Sequence, residues 1–232
     1  MFVIPIEKQN PTRHIPWMVY GLICINVIIF ICTHYFDKET IYSHWGFIPS
    51  DPSFTTMATS MFLHGGVLHI VGNMFFFWMF GDNVEDVLGA YAFIFVYLLC
   101  GFSATGLHYL FNVDSTIPCI GASGAISGIV GLYFIFFPRV RTDLVFYFFR
   151  FRLGVISTTA SVAIGVWFLE QTALGLATEY TALKSYVAIA FWAHVGGLVA
   201  GMVLGVVFRL LGYMENYEKG SKRNWLFGYV GL

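Results

Sequence analysis

Long apolar runs separated by short polar connections dominate the chain. Six are long enough to be read as helices crossing a bilayer: residues 17–33, 67–83, 88–110, 120–137, 153–175 and 187–211. Crossing the hydrocarbon as helix takes roughly 20 residues. The runs are continuous rather than alternating, which argues against a closed barrel, where lipid-facing and lumen-facing positions alternate. The second run is the least obvious, because His69 and Asn73 interrupt it. The pattern predicts an all-α membrane protein, a six-transmembrane-helix bundle. Residues 34–66, between the first two runs, mix polar residues with Trp45, Phe47, Phe54, Met57, Met61 and Phe62. Such an amphipathic stretch suits the interfacial layer, so a long, partly membrane-embedded first loop is expected. An ordinary long loop fits the same composition.

Composition agrees with the bilayer as solvent: 58% of the 232 residues are hydrophobic and 11% charged, too little polar surface for a soluble globule of this size. Lys and Arg are retained on the cytoplasmic side, which orients the bundle. With both termini cytoplasmic, that side holds Lys8, Arg13, Arg139, Arg141, Arg150, Arg152, Arg209, Lys219, Lys222 and Arg223, and the other keeps Lys38 and Lys184. Asp82, Glu85 and Asp86 fall in a cytoplasmic loop of this cut without a basic partner. The expected organisation is a short cytoplasmic tail over 1–16, a membrane domain over 17–211 and a cytoplasmic tail over 212–232. The first run is too long for a cleaved signal peptide and no transit peptide precedes it, which points to a prokaryotic plasma membrane. Cys24, Cys32, Cys100 and Cys119 lack CxxC spacing, so no disulfide framework and no metal site is expected. A net charge of −1 and the absence of a phosphate-cradling glycine loop argue against nucleic acid and nucleotide cofactors.

Polar groups inside a span cost about 2–3 kcal/mol when ionisable, so each asks for a reason. His108 and Glu170 lie near span ends in this cut, where reaching to the interface suffices. Three other places remain. Gly121-Ala122-Ser123-Gly124 opens the fourth run, with an approachable hydroxyl and helix-start N–H groups able to donate to an oxyanion. On this motif alone, close helix packing is the stronger account of Ser and Gly at this spacing, here with Ser127, Gly128 and Gly131 following. His194 stands in the sixth run with no acid within one turn, beside a stripe of Ala193, Gly197, Gly201 and Gly205. A neutral imidazole there can act as a base or simply as an interhelical hydrogen bond. His69 and Asn73, four apart, share one helical face and can reach one oxygen or bond neighbouring helices. His64, five before His69, marks the loop entering the span. Packing must explain a hydroxyl, an imidazole and a donor pair on three spans separately, all toward one end of the bundle; catalysis explains them together.

In these motifs the sequence resembles the rhomboid intramembrane serine proteases, in their six-helix prokaryotic form. The matching elements are Gly121-x-Ser123-Gly124, Ala193-His194-x-x-Gly197-x-x-x-Gly201 and His64-x4-His69-x3-Asn73, in order and on the right spans. The resemblance implies a serine endopeptidase that cleaves transmembrane segments of membrane-protein substrates, with no cofactor. It further implies a Ser123–His194 dyad without an aspartate, and an oxyanion hole formed by His69, Asn73 and the Ser123 backbone N–H. It suggests a lateral entrance between spans two and five, with Trp167 and Phe168 as gate candidates. Two positions depart from the family pattern. Thr55 and Thr56 stand where a Trp-Arg pair is frequent. Ser127 stands where an aromatic ring often stacks on the histidine, so its hydroxyl becomes the candidate for orienting His194. A non-catalytic rhomboid-like scaffold that binds transmembrane helices is the alternative; such relatives lack the serine or the histidine.

Overall fold

The computed structural model describes residues 2–8, 12–148, 151–179 and 190–218. Six apolar helices build the bundle: α1 (Trp17–His34), α4 (Val67–Leu88), α5 (Ala90–Phe111), α6 (Ser123–Phe136), α7 (Ala160–Glu179) and α8 (Phe191–Leu210). Two short helices, α2 (Lys38–Trp45) and α3 (Phe54–Thr59), occupy the first loop, and α9 (Tyr213–Glu218) follows the last span. The helical-bundle reading therefore holds. Helices α1, α5, α7 and α8 are each long and apolar enough to cross a bilayer, and α4 is so together with the segment Phe54–Phe62, from which it bends by 92°.

Helix α6 is different, and its length matters. Its 14 residues span about 21 Å as helix, less than the roughly 30 Å of hydrocarbon. This helix, which begins at Ser123, is therefore too short to cross the hydrocarbon by itself and packs along α8. Glycines let α6 reach that position against α8: a Cβ on Gly197 would overlap the Gly124 carbonyl oxygen, and one on Gly201 the Gly128 carbonyl. This is the small-residue contact anticipated from the stripe along α8. Phe77, Phe93 and Tyr97 pack as an aromatic cluster in the interior, while Ile25, Ile28 and Ile31 of α1 and Val162, Val166 and Leu169 of α7 stay exposed, as lipid-facing positions do.

Three features correct the sequence expectation. The fifth helix begins at Ala160 rather than near 153, because Phe151–Thr159 is a strand, β3, paired antiparallel with β2 (Arg141–Phe148), which pairs with β1 (Phe2–Glu7). The apolar strand residues Leu153, Val155 and Ile156 extend the helix's hydrophobic run. Hydropathy alone cannot separate the two; β-branched residues and antiparallel pairing with β2, which β1 flanks on its other edge, select the strand. The shift also puts Glu170, exposed, in the middle of α7 instead of near its end. Thirdly, α4 continues to Leu88 and buries the three acids expected in a loop. Glu85 accepts hydrogen bonds from the Met18 and Val19 N–H groups (3.0 and 2.9 Å), capping α1 from another helix. Asp86 accepts from the Arg13 N–H at 2.8 Å and meets His14 Nδ1 at 2.6 Å. The Arg13 guanidinium lies over the Tyr217 ring, 4.3 Å from its centroid, and donates to the Tyr217 carbonyl.

Glu7, at the end of β1, joins the sheet to the bundle: Tyr133 of α6 donates to one carboxyl oxygen and Asn83 of α4 to the other, at 3.1 Å. Burial pushes the Glu7 carboxyl up from 4.5 to about 7, against these hydrogen bonds, which lower it. A carboxyl raised in the folded state favours folding when protonated. The contribution is fully present below about 4.5 and is lost as pH rises through about 7. The thermal midpoint in detergent is expected to fall by about 2–4 °C between pH 5 and pH 8, and Glu7→Gln to flatten that slope. Equal slopes in the two proteins would contradict this role.

Candidate active site

Three helix starts and one helix interior converge at the end of the bundle that holds Ser123. Gly121 opens the approach to α6 with φ of 126°, a conformation that favours glycine, and its N–H donates to the Ser60 carbonyl at 2.9 Å. Ala122 caps the helix without a side-chain hydrogen bond. The N–H groups of Ser123 and Gly124 fall in the first turn, where no preceding helical carbonyl is available to them. The Ser123 Oγ lies 3.0 Å from His194 Nε2. Two residues 71 apart in sequence thus meet as the glycine contacts between α6 and α8 allow.

His69 and Asn73 face the same point. The Gly65 N–H donates to His69 Nδ1 at 3.3 Å. A neutral ring accepting at Nδ1 carries its hydrogen on Nε2, so His69 presents a donor there. A Cβ on Gly121 would stand 2.8 Å from that Nε2 and 3.6 Å from Asn73 Nδ2. The absent side chain leaves both donors a shared space beside Ser123. Asn73 Nδ2 is buried and has no hydrogen-bond partner among the described residues. His64, buried in the loop before α4, packs edge-on to His69 with ring centroids 5.1 Å apart.

A cavity of about 570 Å³ joins these groups, with Ser123, His69, Asn73 and His194 in its wall, together with His108 and Asn112 from the end of α5. The first loop closes over it. Phe47 and Cys119 exchange backbone hydrogen bonds of 3.1 and 2.8 Å, and the Ser50 N–H donates to the Ser115 carbonyl. At Thr55 and Thr56, where the family often has Trp-Arg, the structure uses a helix cap: Ser53 Oγ accepts from the Thr55 N–H, and Thr56 Oγ1 donates to the Ser53 carbonyl. Arg150, Lys184, Lys219, Lys222 and Arg223 lie outside the described residues. Among the described residues no cluster of three or more His, Cys, Asp or Glu is placed to hold a metal ion.

Ser127 does not orient His194. Its hydroxyl donates to the Ser123 carbonyl at 2.6 Å, one turn back in its own helix. Sequence reasoning missed the residue that does contact the imidazole: Gln171 of α7, whose Oε1 lies 2.7 Å from His194 Nδ1. Trp167, one turn earlier, packs against the same ring at 6.0 Å between centroids and 33°. The aromatic neighbour that the family often carries at the position of Ser127 is here supplied by α7. Gln171 carried a usable signal, an amide in the middle of an apolar run.

The sequence model described as "Rhomboid domain" matches residues 51–210. Among curated proteins, the chain is 25% identical to Rhomboid-like protein 11, chloroplastic, of Arabidopsis thaliana, over 80% of this chain and 63% of that one. It is 30% identical to RHOMBOID-like protein 6, mitochondrial, of the same plant, over 65% of this chain and 42% of the other. It is 27% identical to the presenilin-associated rhomboid-like protein, mitochondrial, of Bos taurus, over 67% and 44%. The chain therefore spans less than two thirds of the length of these relatives. A match that begins in the roof loop, ends at the last residue of α8 and takes in every helix bearing a site residue leaves one assignment: this chain is an integral membrane protein of the rhomboid family.

Proposed function

We propose that the protein is an intramembrane serine endopeptidase that cleaves transmembrane segments of membrane proteins. The observation that carries this reading is the 3.0 Å contact between Ser123 Oγ and His194 Nε2 in a cavity that also receives the Asn73 amide and His69 Nε2. Packing alone gives no reason for a buried Asn73 amide without a partner among the described residues. An oxyanion supplies one. In the proposed reaction His194 takes the Ser123 proton as Oγ attacks the scissile carbonyl. His69, Asn73 and the Ser123 N–H receive the oxyanion, and the proton passes to the leaving amine. Water entering the cavity then hydrolyses the acyl-enzyme. Closed backbone hydrogen bonds shield a helical substrate, so segments with small or helix-breaking residues near the cut should be preferred.

The proposed membrane is a prokaryotic plasma membrane, with both termini and the three-stranded sheet on its cytoplasmic face and the cavity on the other. The excess of Lys and Arg on the first side supports that orientation. In the folded chain Trp167 turns toward His194, which fits a pocket wall better than a gate. The proposal is tested by treating the purified full chain in detergent with a fluorophosphonate probe and mapping the adduct by mass spectrometry. Stoichiometric modification of Ser123, together with cleavage of a transmembrane reporter, is expected. Absence of both, with retained binding of the reporter helix, would assign the chain to the non-catalytic scaffolds instead.

A further inference from the structure

Helix α7 meets the start of α8 along one stripe of residues four apart: Trp167, Gln171 and Gly175. Trp167 packs on the His194 ring, Gln171 reaches its Nδ1, and a Cβ on Gly175 would stand 3.4 Å from both Phe191 and Trp192. Gln171 is 9% exposed on a helix whose other faces are open to lipid. Its Oε1 can only accept a hydrogen bond, so the contacting His194 Nδ1 must carry the hydrogen. The other nitrogen, Nε2, is then left with a lone pair directed at the Ser123 hydroxyl. With the opposite tautomer Nε2 would donate to Ser123 and could not take its proton.

We propose that Gln171 is a positioning residue that holds His194 in the tautomer and orientation able to accept the Ser123 proton, making the reactive group a Ser-His-Gln triad. This rests on the protease reading and deepens it. In the acylation step the Oγ–H bond breaks and its proton moves to Nε2, the Oγ–carbonyl carbon bond forms, and the scissile C–N bond breaks as Nε2 returns the proton to the leaving nitrogen. Throughout, the Nδ1–H stays on the ring, and its hydrogen bond to Oε1 strengthens while the ring is cationic. A neutral amide does this without placing a permanent negative charge at membrane depth. Because Gln171 and Trp167 sit on the same helix, the base is aligned only while α7 is docked on α8.

The test uses the full chain in detergent, with fluorophosphonate labelling rates and reporter cleavage measured across pH, and ¹⁵N NMR of histidine-labelled protein. Gln171→Leu is expected to lower kcat and the labelling rate roughly 10²-fold, as loss of alignment does, with KM unchanged, because Gln171 touches His194 and not substrate. Gln171→Glu retains an acceptor oxygen at the same reach and is expected to recover most of the rate. It should also move the acid limb of the profile to higher pH, an effect that a packing role would not produce. His69 and His108, which face the same cavity, and Glu170, exposed and next to Gln171 in the chain, are unchanged in both variants, so that shift reports on position 171. The NMR spectrum of the wild type is expected to show His194 protonated at Nδ1. A Gln171→Leu protein within twofold of wild type, a Glu variant with an unmoved profile, or an Nε2-protonated His194 would each overturn the proposal. If wild type neither labels nor cleaves, the protease reading fails, whereas the tautomer is still read by NMR. Should the Leu variant not fold, the isosteric Glu variant decides.

Discussion

Ser123→Ala is expected to reduce cleavage of a transmembrane reporter to background, a loss of about 10⁴-fold or more in kcat, and to abolish fluorophosphonate labelling. His194→Ala should cost about as much, and the double variant no more than either alone. The hydroxyl and the imidazole, 3.0 Å apart, act as one unit in which each is useless without the other. The thermal midpoint should change little in Ser123→Ala, because the hydroxyl's hydrogen-bond partner is His194, which keeps Gln171 at 2.7 Å. Steady-state cleavage by each purified variant decides the matter. Activity within tenfold of wild type in either single variant would return both side chains to packing.

Asn73→Ala has the second largest expected effect, roughly 10²-fold in kcat with little change in KM, the loss typical of one oxyanion donor. The argument turns on what Asn73 does in the resting protein. Its Nδ2 is buried and bonded to nothing among the described residues, and an unsatisfied buried donor costs about 1–3 kcal/mol. Removing it should therefore leave stability unchanged or raise it. A structural amide would behave in the opposite way, with a lower melting temperature and an unchanged rate. Measuring both quantities on the same preparation separates the two roles. His69→Phe should act in the same direction, and the combined variant should lose less than the product of the two, since both donors serve one oxygen.

Much of this arrangement was legible in the residues. Apolar runs located the helices within a few residues except at the start of α7 and the end of α4, and the glycine stripe beginning beside His194 pointed to a close approach of α6 and α8. His69 and Asn73, four apart, were readable as one helical face. The misreadings share a cause. Residues 153–159 read as helix because hydropathy is blind to whether an apolar residue sits in helix or strand, and the sheet that β3 forms with β2 is completed by β1 from the other end of the chain. Asp82, Glu85 and Asp86 were placed in a loop because charge normally ends a span; Met18, Val19, Arg13 and His14, which satisfy Glu85 and Asp86, come from more than 60 residues away.

The pairing of Ser123 with His194 marks the boundary between the two kinds of knowledge. That this chain dissolves in a bilayer, as helices, with a serine, a histidine and two amide or imidazole donors near one end, follows from residue order alone. Partition into lipid and helical periodicity are properties of 20-residue windows. Which nitrogen of His194 faces the serine, and what holds it there, depends on Gln171, 23 residues earlier on a separate helix. Hydrogen-bond geometry is sensitive to a few tenths of an ångström. Only the packing of α7 against α8 brings Gln171 and His194 to that distance.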